Sequence, residues 1–392
     1  MGDKSKLKIL IVCFYFPPFN VAGALRLGRI AQHLSEFGHD IKVIAANNTC
    51  EDRSLQFEST LDVRFVNWID TNSIPKRIIG GQGKTSEITQ NDVSHLSTSK
   101  KILLNLSKLY KSITNIPDGY AYFAFSALKE AKKISATWKP DIIYSSALPA
   151  SVALAGHLIS NKLKVKWICE FRDLWTTNHY YSFPKWRHVI DKRLEKHVLS
   201  NCSSFVTVSE PLADDIRQRF PDKKSEVILN GADVESLSKI NINKANNNEK
   251  KKRLLNIVYT GTLYKGKRDP SKLFKAIANL SKDREIPVNV NFYGKDNTLY
   301  INKLAKEFKI EKYVNCYGSV PYLKALSVQR NADLLLLLLW ESEKESGVFT
   351  GKFFEYIAAR RPILAIGHDS NVAINMINKK GLGKALNNVK DI

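Results

Sequence analysis

The stretch Asp141–Phe171, DIIYSSALPASVALAGHLISNKLKVKWICEF, decides the fold. Its two ends, Asp141–Ser145 and Val165–Phe171, are short apolar runs rich in β-branched and aromatic residues, as buried strands are. Between them, Ser151–Leu163 repeats Ala, Leu and Ile at helical spacing. Two strands joined by such a helix run parallel, with the helix crossing over one face of the sheet in the right-handed sense.

The same unit recurs on both sides. Upstream, Lys8–Phe16 reads as a strand, and Leu27, Ile30, Ala31, Leu34 and Phe37 mark a helical face that Gly38 ends. Ile41–Ala46 is the next strand; downstream come Ser204–Val208, a helix after Pro211, and Glu226–Leu229. The polar stretch Ser236–Arg253 has no periodicity and reads as a linker. A second series follows. Strands are expected at Leu255–Tyr259, Val288–Tyr293, Val314–Tyr317, Asp333–Trp340 and Pro362–Ile366. Helices fall at Ser271–Leu280, near Ile301–Phe308, from Pro321 and over Lys352–Arg360. The expectation is an α/β chain of two doubly wound, Rossmann-like domains facing across a cleft, 1–235 and 254–392, joined by a linker at 236–253. Ligands in open sheets of this kind sit beyond the carboxyl ends of the strands.

Composition bounds the function. The chain has 392 residues, 44% hydrophobic and 25% charged, which suits two globular domains. Its net charge of +22 favours a phosphate-rich partner: nucleic acid, anionic lipid or a sugar nucleotide. No RNP-like aromatic strand, zinc module or recognition helix supports nucleic acid. Five cysteines (Cys13, Cys50, Cys169, Cys202, Cys316) lie far apart without a CxxC pair, which suits reduced thiols in a cytosolic protein and argues against a metal site. Basic MGDKSKLK followed by apolar ILIVCFYF resembles a signal peptide. The run ends at Pro17-Pro18 without a small-residue cleavage site, so a buried strand is expected instead. The longest other apolar run, Leu334–Trp340, is too short to span a bilayer.

Asp70–Ser99, rich in Gly, Ser, Thr and Asn, is expected to be a mobile loop. Gly80–Ser86, GGQGKTS, lacks the leading glycine that a phosphate-binding P-loop needs. After it, Ile102, Leu106, Leu109 and Ile113 form an apolar helical stripe, with Lys101, Lys108 and Lys111 off it. Such a helix either packs on its own domain or lies on an anionic bilayer.

Two motifs carry chemistry. In FYFPPFNVAGALRL, Pro17-Pro18 stops a strand and Ala22-Gly23 opens a helix, where Gly23 lets a ligand approach the backbone. In SGVFTGKFFEYIAARRPILAIG, Thr350 and Gly351 precede a helix beginning near Lys352. Its N-terminal amides and dipole suit a diphosphate, and Lys352 adds a full charge. Glu355, one turn on, either accepts hydrogen bonds from a diol such as ribose or reaches back to cap the helix. Position alone leaves both open.

Taken together, the motifs resemble those of a family-four retaining glycosyltransferase of the GT-B fold, as used in bacterial polysaccharide and lipopolysaccharide assembly. The resemblance runs over essentially the whole chain through YFPPFNVAGALRL, PDIIYSSALPASVALAGHL, FRDLW, VTVSEPLADDI, VILNGAD, IVYTGTLYKGKRDP and GKFFEYIAARRPILAIG. It implies that Gly23 approaches donor phosphate and acceptor, and that Asp173 lies near the transferred sugar. Gly261, Lys267 and Arg268 match the turn and cations that neutralise the diphosphate. Gly318 and Val320 match the loop beside the base. Glu355 matches the ribose-holding glutamate, and Thr350, Gly351 and Lys352 match the phosphate side of its helix. The implied activity is transfer of a sugar from a nucleoside diphosphate-sugar to a glycan or polyprenyl-linked acceptor, without cofactor or metal. The basic charge and the helix over Lys100–Ile113 lead further to the expectation of a lipid-linked acceptor in the cytoplasm at the inner face of the plasma membrane, with an anionic membrane surface as partner.

The chain departs from the family pattern in four places. Gly347 stands where many members carry a glutamate, although Glu341, Glu343 and Glu345 are near; Thr262 stands where an arginine is common; and Arg172, not His, precedes Asp173. Relatives continue past the position of Ile392, so a truncated or short donor domain is expected. Gly347 and the early stop leave one rival, an inactive nucleotide-sugar-binding protein; a sugar-nucleotide epimerase of related fold is another, which FRDLW and GKFFEY, resembling transferases, count against.

Overall fold

The computed structural model describes residues 6–48, 53, 55, 57, 60–72, 98–178, 181–238, 240, 254–264, 267–295, 298–343 and 346–392. The chain divides into two compact units, one formed by Met1–Thr207 with Leu212–Val227, the other by Val208–Pro211 with Ile228–Ile392.

The first unit is a seven-stranded, wholly parallel sheet. Its strands are β1 (Lys8–Cys13), β2 (Asp40–Ala46), β3 (Asp62–Val66), β4 (Ile142–Ala147), β5 (Lys166–Phe171), β6 (Ser204–Thr207) and β7 (Lys224–Val227). They lie in the order β3-β2-β1-β4-β5-β6-β7, so the winding reverses between β1 and β4. Both faces are covered, as a parallel sheet requires. Along β1, Leu10 and Val12 enter one core while Ile9, Ile11 and Cys13 enter the other. The helices are α1 (Ala22–Glu36), α2 (Thr98–Thr114), α3 (Tyr122–Ser135), α4 (Ala150–Leu163), α5 (Lys185–Ser200) and α6 (Glu210–Arg219). Gly38, with φ +92°, takes the left-handed turn after α1 that a side chain would resist. Gly156 on α4 is required for another reason: a Cβ there would overlap the Trp167 indole of β5.

The second unit repeats the plan with six parallel strands: β8 (Leu255–Thr260), β9 (Val288–Tyr293), β10 (Val314–Cys316), β11 (Leu334–Leu338), β12 (Ile363–Ile366) and β13 (Gly383–Ala385). Their order is β10-β9-β8-β11-β12-β13, with the reversal between β8 and β11. Its helices are α7 (Val234–Ser238), α8 (Ser271–Leu280), α9 (Thr298–Glu307), α10 (Tyr322–Arg330), α11 (Gly351–Ala359) and α12 (Val372–Lys380). Alternate residues again part: Leu336 and Leu338 of β11 go to one core, Leu335 and Leu337 to the other.

The two Rossmann-like domains match the expected fold class. Several elements differ from expectation. β3, α3, α5, α12 and β13 were not apparent from the sequence pattern. β1 ends at Cys13, before Phe16, and β7 starts two residues early, leaving Ile228 and Leu229 outside it and exposed. Ile228–Ser238 belongs with the second unit, where Arg330 donates to the Leu237 carbonyl, whereas the sequence puts the boundary at 235 and begins a linker at 236. Residues 239 and 241–253 of that linker lie outside the described residues, as do 73–97, which hold most of the expected loop and the GGQGKTS stretch. Among the described residues no helix is long and apolar enough to cross a membrane.

Candidate functional site

In the second unit, Gly261 and Lys352 meet beyond the carboxyl end of β8, next to β11, where the strand order reverses, whereas Gly318 and Val320 follow edge strand β10. Gly261 follows β8 with φ +117°, a conformation only glycine adopts freely, and its N–H donates to the Tyr293 carbonyl at 2.5 Å. A Cβ on Gly261 would overlap the end of the Lys352 side chain. The glycine therefore makes room for this cation against the backbone.

Lys352 stands in the first turn of α11. The helix is entered through Thr350 in an extended conformation, and no side chain caps it. The Thr350 hydroxyl is buried and without a hydrogen-bond partner among the described residues. Burial pulls the Lys352 ammonium down to about 8, with the Arg268 charge acting in the same direction and Glu355 against it. Burial likewise raises the Glu355 carboxyl, opposed by a hydrogen bond from Gln329 and by the Lys352 charge. Both shifts run toward the neutral forms. No ion pair joins the two among the described residues.

Glu355 is held from outside its own helix. The Gln329 side chain, fully buried on α10, donates from Nε2 to Glu355 Oε2 at 2.9 Å and to Thr260 Oγ1 at 2.9 Å. The Thr260 amide donates to the Tyr356 hydroxyl at 3.1 Å, which ties β8 to α11. Of the two roles open for Glu355, capping its own helix is thus set aside.

The cations divide. Arg268 lies with its guanidinium 4.9 Å from the Tyr264 ring, and its charge is felt at Lys352. Lys267 is exposed and lies over the Trp340 ring at 4.2 Å, beyond the end of β11. Gly318, with φ +68°, accepts at its carbonyl from the Gly294 amide at 2.7 Å, pinning the loops after β9 and β10 together. Beside it Tyr293 and Tyr317 stack at 4.7 Å, and half-buried Val320 leads into α10. Gly347 is buried, and its carbonyl accepts from the Ser209 hydroxyl at 2.6 Å. Of the nearby carboxylates, Glu341 pairs with Lys272 at 2.7 Å, and Glu345 lies outside the described residues.

In the first unit, Gly23 is the second residue of α1, and a Cβ there would overlap the Arg172 guanidinium. Arg172 and half-buried Asp173 follow β5 directly. Beneath them lies a polar cluster absent from the sequence reading. Arg26 donates to Glu170 Oε1 from Nε at 2.9 Å and from Nη2 at 2.8 Å. The Tyr144 hydroxyl donates to the same oxygen at 2.8 Å, and Ser146 donates to Oε2. This cluster locks α1 to β4 and β5.

Chemically, the second unit offers half-buried Lys352 and Arg268 and an uncapped helix N-terminus to a phosphate, and a braced carboxylate one turn deeper to a hydroxyl pair. Gln329 and Glu170 escaped the sequence reading, though each left a trace. Gln329 shares the inward face of α10 with Leu326, three residues before it, and Glu170 interrupts an apolar strand.

Residues 104–236 match the model of Glycosyltransferase Family 4. No curated protein matches the chain by sequence. Among solved structures, the apo form of the lipopolysaccharide outer core galactosyltransferase WaaB is 13% identical, with TM-score 0.57 over 98% of this chain and 88% of that one. Anabaena Alr3699/HepE in complex with UDP and glucose is 13% identical, with TM-score 0.56 over 97% and 86%. A putative UDP-N-acetylglucosamine 2-epimerase from Listeria monocytogenes is 14% identical, with TM-score 0.55 over 99% and 86%. At these identities the likeness is one of fold.

Proposed function

From a Glycosyltransferase Family 4 domain over residues 104–236 and a fold shared with GT-B glycosyltransferases, we propose that this chain is a retaining glycosyltransferase. It moves a sugar from a nucleoside diphosphate-sugar to a glycan or polyprenyl-linked acceptor in the synthesis of cell-surface polysaccharide, at the cytoplasmic face of the plasma membrane. The observation that carries this reading is Lys352 and Glu355 on one helix, the first against Gly261 and the second braced by Gln329.

The bond to be broken joins the anomeric carbon to the diphosphate, so negative charge grows on the leaving phosphate. Arg268, Lys267, Lys352 and the α11 amides stabilise that charge without metal or cofactor. Glu355 holds the ribose diol, and the loop of Gly318 and Val320 flanks the base. The acceptor attacks from the leaving-group face, and the departing phosphate oxygen takes its proton. No protein nucleophile is needed. Asp173 orients the sugar or acceptor, and Gly23 admits both close to the backbone.

A thermal-shift panel of nucleotide sugars tests donor binding, since a ligand at 100 times its Kd stabilises by about 2.7 kcal/mol. The Glu355→Ala variant should lose most of that shift. If no nucleotide sugar raises the melting temperature, the reading fails. Retention is read from the anomeric configuration of the product.

Buried Gly347, in place of a family glutamate, favours a second reading: a binder that holds the donor without turnover. Donor shift without transfer or hydrolysis would select it. The epimerase of similar fold supplies the third reading, which would show as an altered donor sugar with no acceptor added.

A further inference from the structure

α5 is amphipathic the wrong way round. Its inward stripe carries Arg187, Asp191 and Glu195, each no more than 2% exposed. Arg187 pairs with Asp191 at 2.8 Å, Asp191 accepts from the Tyr181 hydroxyl at 2.8 Å, and Glu195 pairs with Arg219 at 2.8 Å. Its outward stripe carries Trp186, Val189 and Ile190. A helix of a globular domain normally turns its apolar side to the core.

α2 shows a second outward apolar stripe: Leu106, Leu109 and Ile113, at i, i+3 and i+7. The six side chains of the two stripes are between 41% and 57% exposed. Arg187 joins the helices, donating to the Ser112 carbonyl at 2.6 Å and to the Asn115 carbonyl at the end of α2. The two stripes therefore belong to one region of the first unit. (The side chains of Ile102, of the expected stripe, and of Lys101, off it, lie outside those described.)

Charge identifies the occupant. Lys108 and Lys111 on α2, and Lys185, Lys192, Arg193 and Lys196 on α5, are exposed around the apolar side chains. α2 contains no acidic residue, and the two acids of α5 are buried. Protein interfaces are depleted of lysine at their centres, whereas a tryptophan and aliphatics ringed by Lys and Arg suit the headgroup layer of an anionic bilayer. We infer that the outward faces of α2 and α5 form a docking surface for an anionic lipid membrane. The surface deepens the reading of a lipid-linked acceptor and rests on it only in bringing enzyme and acceptor into one plane.

Flotation of the full chain with vesicles tests this without donor or acceptor, so its failure is separate from failure of transfer. At low salt the chain should float with vesicles containing about 30% phosphatidylglycerol and much less with pure phosphatidylcholine, and high salt should release it. Leu109→Asp with Ile190→Asp should cut the bound fraction by about tenfold or more. Lys192→Gln with Arg193→Gln should weaken the preference for anionic vesicles. All four positions are exposed, so melting temperatures should stay near wild type. Absence of flotation at low salt, or variants that float like the wild type, overturns the inference. So would light scattering showing a dimer that Leu109→Asp and Ile190→Asp dissolve, which would assign the face to a second copy.

Discussion

Gln329 Nε2 and Glu355 Oε2 lie 2.9 Å apart, so a buried amide on one helix fixes the carboxylate of another. The same amide donates to Thr260 Oγ1, so strand β8, α10 and α11 converge on one side chain. Hydrogen bonds to charged groups contribute about 1.5–3 kcal/mol. Gln329→Leu should therefore weaken nucleoside diphosphate binding by about tenfold or more, measured by calorimetry. Unchanged affinity would mean that Glu355 does not meet the ligand.

Lys352 sets a pH dependence. Its ammonium is pulled to about 8 in the folded chain, below its ordinary value of 10.5. Between these values the unfolded chain binds more protons than the folded one, so this residue adds stability as pH rises through about 8 to 10.5. Donor binding should move the other way. A diphosphate favours charged Lys352, so affinity should fall as pH rises through about 8, with proton uptake on binding near that pH. Calorimetry in buffers of different ionisation enthalpy reads the uptake, and Lys352→Arg should abolish it.

Arg268 and Lys267 should not contribute equally. Arg268 acts on Lys352 within the site, whereas Lys267 rests exposed on Trp340. Arg268→Ala should lower kcat by about 10²–10³-fold, the range for loss of a charge-stabilising donor. Lys267→Ala should cost less, about tenfold. The reverse order in a transfer assay would move the principal charge to Lys267.

Glu170 is fully buried among Arg26, Tyr144 and Ser146. Glu170→Ala removes the buried carboxylate that Arg26, Tyr144 and Ser146 share, and breaking a buried pair of this kind costs about 3–5 kcal/mol. Urea denaturation checks this. Pairing it with Arg26→Met should restore much of the loss, because the charge then goes with its partner. A single variant as stable as wild type would remove the cluster from the account of how α1 is held.

Most of the strand–helix alternation was legible because apolar content tracks burial in parallel sheets; Ser271–Leu280 and Val288–Tyr293 fall where the spacing predicts. What escaped has physical reasons. β3 is an edge strand whose Asp62 and Arg64 pair with each other, and Asp62 also with Lys42, so its charges hid the pattern. α3 buries three alanines alongside Phe123 and Ile134, a weak apolar signal, and α5 buries its charges. At the site, Lys352 and Glu355 were readable because a helix start announces itself locally, whereas Gly261, which follows a strand, entered only through the motif resemblance. Gln329 was not, since its partner is 26 residues away on another element.

Strand β1 holds the centre of its sheet, with Ile9 aligned to Ile41 on one side and to Ile142 on the other. The second neighbour is made long after the first. At about 5–20 residues per second on the ribosome, one edge of the apolar ILIVC segment waits on the order of ten seconds for β4. During synthesis this unpaired apolar edge is open to other chains, so a lower growth temperature and added chaperone should raise the amount of soluble protein recovered.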